Sequence, residues 1–155
     1  MTGVQTCALP ISRALRDVTL DDLDAYGHEL SDKVLRRCRH VVTENARVLQ
    51  AADALDAGDL PAFGAFMRQS HTSLRDDFEV SCAELDLMAE LGEQVEGVYG
   101  TRMTGGGFGG CTITLIKSEC LKAFQLSVSK GYERATGRKP EIYVCSAADG
   151  VGRIA

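Results

Sequence analysis

Tryptophan is absent from this 155-residue sequence, proline occurs three times and histidine three times. So few histidines, with six cysteines of which no two stand as C-x-x-C, leave little from which to build a structural zinc site. No apolar run is long enough to cross a bilayer. Basic residues are outnumbered, 17 against 22 acidic, and the formal charge of −5 argues against a nucleic-acid partner. The cysteines are widely and irregularly spaced, which suits reduced, mostly buried thiols in a cytoplasmic protein better than a disulfide framework. What remains is an ordinary globular balance, 45% hydrophobic and 25% charged.

Residues 1–12, MTGVQTCALPIS, differ from the rest. They lack the basic start and long apolar core of a signal peptide, and Pro10 interrupts their one apolar stretch. They read as a non-native, adapter-derived tail, with residues 13–155 forming the domain and the N-terminal part of the fold missing.

From Leu20 the periodicity is helical. Thr19 and Asp22 make a capping pair for a short helix through His28. A second helix is predicted from Ser31 to Ala57, burying Val34, Leu35, Cys38, Val41, Val42, Val48, Leu49, Ala52 and Leu55 on one face, with Gly58 as its left-handed cap. The basic group Arg36, Arg37, Arg39 and His40 reads as a solvated face of that helix. Asp59 caps a third helix, with Pro61 tolerated in its first turn. Ser81 and Glu84 form a capping box for a fourth, reaching about Gly97.

The period then changes to two. Strands are predicted at Val98–Met103, Cys111–Lys117 and Glu141–Cys145, with a helix between the last two, capped by Ser118 and ended by Gly137. The fold class is α+β: a small, mainly antiparallel sheet packed with four to five helices. The polar tail from Ala147 reads as frayed.

Five glycines in the six positions Gly105–Gly110 carry an entropic cost, so they serve something other than stability. Such a run can bring backbone N–H groups close to an anion, or form a plain hairpin connection. It matches neither a Walker loop, which ends in Lys-Ser/Thr, nor a dinucleotide fingerprint, because a strand follows it. Asp76 and Asp77 sit about 100° apart on a helix and so do not converge on one ion; with His71 and Arg75 they read as a salt-bridged segment. Cys111, with no paired histidine, reads as a small buried residue.

The string TRMTGGGFGGCTI resembles the third glycine-rich motif of the GHMP small-molecule kinases, carried here by Arg102, Met103, Thr104, Gly105, Gly107, Gly109 and Gly110. SHTSLRDDFEVSCAELD (Ser70–Asp86), HVVTENARVLQAADALDAGDL (His40–Leu60) and EIYVCSAADGVG are similar to the galactokinase branch of that family, as is nearly everything from Ala14 onward. The resemblance implies a C-terminal portion of an ATP- and Mg²⁺-dependent kinase converting galactose to galactose 1-phosphate. It makes Thr104, Gly105, Gly106, Gly107, Phe108, Gly109 and Gly110 the phosphate-side loop, with Arg102 supporting it. Galactose and ATP would be held through the missing N-terminal domain, with no nucleic acid or membrane partner. No residue here matches the family's catalytic base, its assisting arginine or its Ser-rich phosphate loop, so the chain alone is expected to be inactive. Another GHMP kinase (for N-acetylgalactosamine, mevalonate or homoserine) and a non-catalytic sugar sensor of galactokinase type stay open as alternatives.

Overall fold

A computed structural model describes residues 14–146. The expectations for residues 1–12 and for the tail from Ala147 lie outside that range. Among the described residues there are five α-helices and one two-stranded sheet. The helices are α1 (Leu20–Tyr26), α2 (Asp32–Asp56), α3 (Leu60–Asp76), α4 (Ala83–Glu93) and α5 (Leu121–Thr136). The strands β1 (Val98–Thr104) and β2 (Cys111–Ile116) lie between α4 and α5. Short 3₁₀ turns occur at Leu15–Asp17, Gly27–Glu29 and Ser118–Cys120.

Several boundaries follow from local chemistry. Thr19 and Asp22 form a reciprocal capping box at α1, and Asp59 accepts the amide of Ala62 at the start of α3. Gly58 and Gly137 adopt positive φ, +70° and +72°, where helices α2 and α5 stop. Gly97, at φ +84°, turns the chain from α4 into β1.

Two cores result. One joins the N-terminal turns to α2 through Val18, Leu23, Cys38 and Val42. The other lies where α3 and α4 cover β1 and α5 packs on α4. There Met103 and Val128 are fully buried, with Leu85, Ala89, Met67 and Phe124 around them. Burying each large apolar side chain contributes about 1.5–3 kcal/mol.

The contact between α3 and β1 is unusually close. A β-bulge between Val98 and Gly100 turns the Tyr99 carbonyl toward α3, where it accepts from Arg68 Nη1 at 2.5 Å. A Cβ on Gly64 would stand 1.8 Å from that carbonyl oxygen, and one on Gly100 would stand 2.3 Å from the oxygen of Gly64. Glycine on both elements allows this approach.

Several expectations about the elements need correction. The apolar stripe assigned to α2 is only half buried: Val34 in the first turn is exposed, and so are Val48, Leu49, Ala52 and Leu55 in the C-terminal half, where α3 packs on one face. Glu141–Cys145 forms no strand; the sheet is the pair β1–β2, and the segment runs unpaired with Tyr143 and Val144 exposed. Helix α4 begins after Cys82, where Ser81 bonds Asp86 (2.5 Å) instead of closing a box with Glu84, and it stops at Glu93, short of Gly97. Ser118 opens a 3₁₀ turn and caps nothing. The basic group on α2 is only partly a solvated face: Arg39 is exposed, but His40 is buried, and Arg36 and Arg37 both clasp Glu79.

Candidate functional site

The hairpin β1–β2 presents the glycine run at one end of the sheet. Its register pairs Thr101 with Thr114, Arg102 with Ile113 and Thr104 with Cys111, so the loop is the six residues Gly105–Gly110. Inside the hairpin the Thr101 and Thr114 hydroxyls are 3.0 Å apart, and Glu93 accepts the Thr101 amide at 2.5 Å.

The loop backbone is left-handed almost throughout: φ is +78° at Gly105, +80° at Gly107, +58° at Phe108, +111° at Gly109 and +114° at Gly110. Only glycine takes most of these conformations without strain. A Cβ on Gly105, Gly106, Gly109 or Gly110 would meet nothing within 4 Å, so these positions border open space. Gly107 differs. A Cβ there would lie 2.0 Å from the Val80 carbonyl oxygen, the same oxygen that accepts the Phe108 amide at 2.7 Å. Phe108 is thus pinned by its backbone, although the residue as a whole is 77% exposed. Among the described residues, the other loop amides have no protein acceptor. Uncommitted N–H groups on a side-chain-free bend are what an anion needs for close approach.

The other expected residues fall at the loop's stems. Thr104 is exposed at the end of β1. Arg102 is half-buried; its Nε donates to the Met103 carbonyl, and its Nη1 lies 3.6 Å from Glu44 Oε1. Glu44 is further held by Arg47 and by Ser70, whose hydroxyl donates at 2.5 Å. The Arg102 guanidinium is therefore tied back into the fold beside β1. Cys111 is exposed, correcting the expectation of a buried thiol, because its side chain falls on the outer face of the edge strand β2. The five described cysteines are all free.

The segment joining α3 to α4 supplies a support that the sequence pattern did not reveal. Glu79 takes φ +56° and is gripped by Arg36 (2.6 Å) and Arg37 (2.5 Å), while Arg37 also donates to the Asp77 carbonyl and stacks over Phe78. These contacts hold Val80 where it meets the loop. Asp76 and Asp77 diverge as expected: Asp76 pairs with Arg75, and Asp77 accepts from Ser73 at 2.8 Å. Because Ser73 donates there, His40 Nδ1 donates to the Ser73 oxygen at 3.0 Å.

His71 also proves structural to the hairpin, accepting the Met103 amide at Nδ1 (3.2 Å). Burial, the larger effect, holds both His40 and His71 below the usual imidazole range despite nearby carboxylates. Partners such as Val80–Phe108 and Ser70–Glu44 are far apart in sequence, and no local pattern could have found them. Only the positive-φ demand on Gly107 was foreshadowed, by its being glycine.

This fold and loop define a small α+β domain that carries an open, amide-lined hairpin bend. The family model described as GHMP kinases C terminal matches residues 51–133, more than half of the chain, and the chain belongs to the GHMP kinases. It is 49% identical over 145 residues to a galactokinase of Roseiflexus sp. (strain RS-1), covering 94% of this chain and 37% of that protein. Its structure is similar to the crystal structure of Lactococcus lactis galactokinase complexed with galactose. The TM-score is 0.79 and the identity 39%, over 83% of this chain and 33% of that one. The chain thus spans about a third of the length of these relatives.

Proposed function

We propose that the chain is the C-terminal portion of a galactokinase and that the loop Thr104–Gly110 forms one wall of the cleft in which ATP phosphorylates galactose. The observation that carries this reading is the loop itself. Its uncommitted amides and open glycine positions fit phosphate oxygens, and any larger residues there would keep an anion away from the backbone. When bound, ATP supplies the phosphoryl group; this chain's residues would orient its phosphate oxygens and help exclude water. Arg102, anchored by Glu44, adds positive charge beside the loop. Among the described residues no three His, Cys, Asp or Glu side chains converge on a metal position, and Mg²⁺ bound with ATP would be held largely by the nucleotide phosphates and water. Asp76 pairs with Arg75 and Asp77 accepts from Ser73, so neither is free to accept a sugar proton, in keeping with a chain that is inactive alone. The five free thiols favour a reducing compartment, in keeping with a cytoplasmic location.

A chimera tests this reading. Residues 14–155 replace the matching C-terminal part of the Roseiflexus galactokinase, and the product is assayed with galactose and MgATP. Formation of galactose 1-phosphate, absent from the isolated chain, is expected. A folded chimera that phosphorylates homoserine or mevalonate and not galactose would overturn the assignment, and one that binds galactose without turnover would favour a sensor.

A further inference from the structure

We propose that His71 is the positioning residue of the glycine loop, its neutral ring coupling the strand that enters the loop to the segment that pins its tip. His71 lies in α3 and is 7% exposed. Its Nδ1 accepts the amide of Met103, the fully buried residue of β1 two positions before Gly105. Because Nδ1 is the acceptor, the ring proton resides on Nε2.

Nε2 is buried, has no hydrogen-bond partner, and stands 3.4 Å from Asp86 Oδ1 on α4. The same oxygen accepts the hydroxyl of Ser81 at 2.5 Å. Ser81 follows Val80, whose carbonyl holds the Phe108 amide. One imidazole therefore stands between both supports of the loop. A proton on Nδ1 would set N–H against the Met103 N–H and strand a buried amide donor without an acceptor. The ends of β1 and of the Ser81 turn would then part, and the loop would lose its fixed shape.

The charges facing the ring oppose one another. Asp86 from α4 and Asp76 from α3 favour the protonated ring, while Arg75 from α3, Arg102 from β1 and burial disfavour it. The neutral form prevails near neutrality, and the loop is ordered there. This role deepens the phosphate-side reading of the loop, on which it rests only for its consequence; its test reads loop order in the absence of any phosphate.

The test uses amide NMR of the whole 155-residue chain. At pH 7.5, His71→Phe, which keeps ring bulk but no polar atom, is expected to speed exchange of the Phe108 amide about tenfold. His71→Asn, which restores an acceptor toward Met103, should recover most of that protection. In the unaltered chain, acid-induced shifts of the Met103, Gly107 and Phe108 amides should share the midpoint of the His71 ring signals. Equal exchange in the Phe and Asn variants, or loop shifts with a midpoint away from that of His71, would overturn the proposal. Should the Phe variant fail to fold, the Asn variant against the unaltered chain and the shared midpoint decide it. Addition of tripolyphosphate in a separate arm reports on anion binding, so a loop that is ordered by His71 yet binds no phosphate is told apart.

Discussion

The carbonyl of Val80 accepts the amide of Phe108 at 2.7 Å and would stand 2.0 Å from a Cβ at Gly107. One backbone oxygen thus fixes the tip of the loop and demands glycine beside it. Gly107→Ala should dislodge the tip and cost about 1–3 kcal/mol, through strain at φ +80° and collision with backbone that cannot retreat. Gly106→Ala, at ordinary φ and facing open space, should stay within about 0.5 kcal/mol. Urea unfolding of the two variants checks the contrast.

Gly64 is the more severe case. Its Cβ would fall 1.8 Å from the Tyr99 carbonyl oxygen, so α3 and β1 would have to separate along their whole contact. Gly64→Ala should cost about 3 kcal/mol or more and loosen Met103 in the core. A thermal melt well below that of the unaltered chain is the expected result, and an unchanged melt would refute the close approach.

Glu79 occupies a left-handed conformation that glycine takes freely, but its carboxylate holds Arg36 and Arg37. Glu79→Gly loses the ion pairs and relieves the backbone, whereas Glu79→Ala loses them and keeps the strain. The glycine variant should therefore unfold at higher urea than the alanine variant.

Acid should weaken the fold before ordinary carboxylates titrate. His40 and His71 are both held below the imidazole range by burial, so the unfolded chain binds protons more readily than the folded one. Their contribution is complete above about pH 6.5 and is lost as pH falls through the folded-state values. The urea midpoint should be lower at pH 5.5 than at 7.5, and His71→Asn should flatten part of that slope. The carboxylates of Asp22, Asp76 and Glu79, lowered by their partners, act in the same direction but at more acid pH.

Much of the helical part was legible because its signals are local. Asp59 before Pro61, the Thr19–Asp22 box, Gly58 and Gly137 act through hydrogen bonds and φ demands within a turn of the chain. Two regions misled for one reason. The apolar residues of α2's C-terminal half and of Glu141–Cys145 announce burial and pairing, but a residue pattern names no partner, and among the described residues none is there. The glycine run marked the site, whereas the contacts of Val80, His71 and Glu44 that support it went unread because their partners lie 26 or more residues away.

The residue string by itself determined the helical periods, the caps, and a bend that only glycine can make, since each depends on a few consecutive residues and their backbone freedom. Tertiary structure alone decided that Val80 pins the bend, that Gly64 and Gly100 bring α3 onto β1, and that His71 stays neutral beside Met103. Those outcomes depend on which distant surfaces meet and on how far their meeting excludes water.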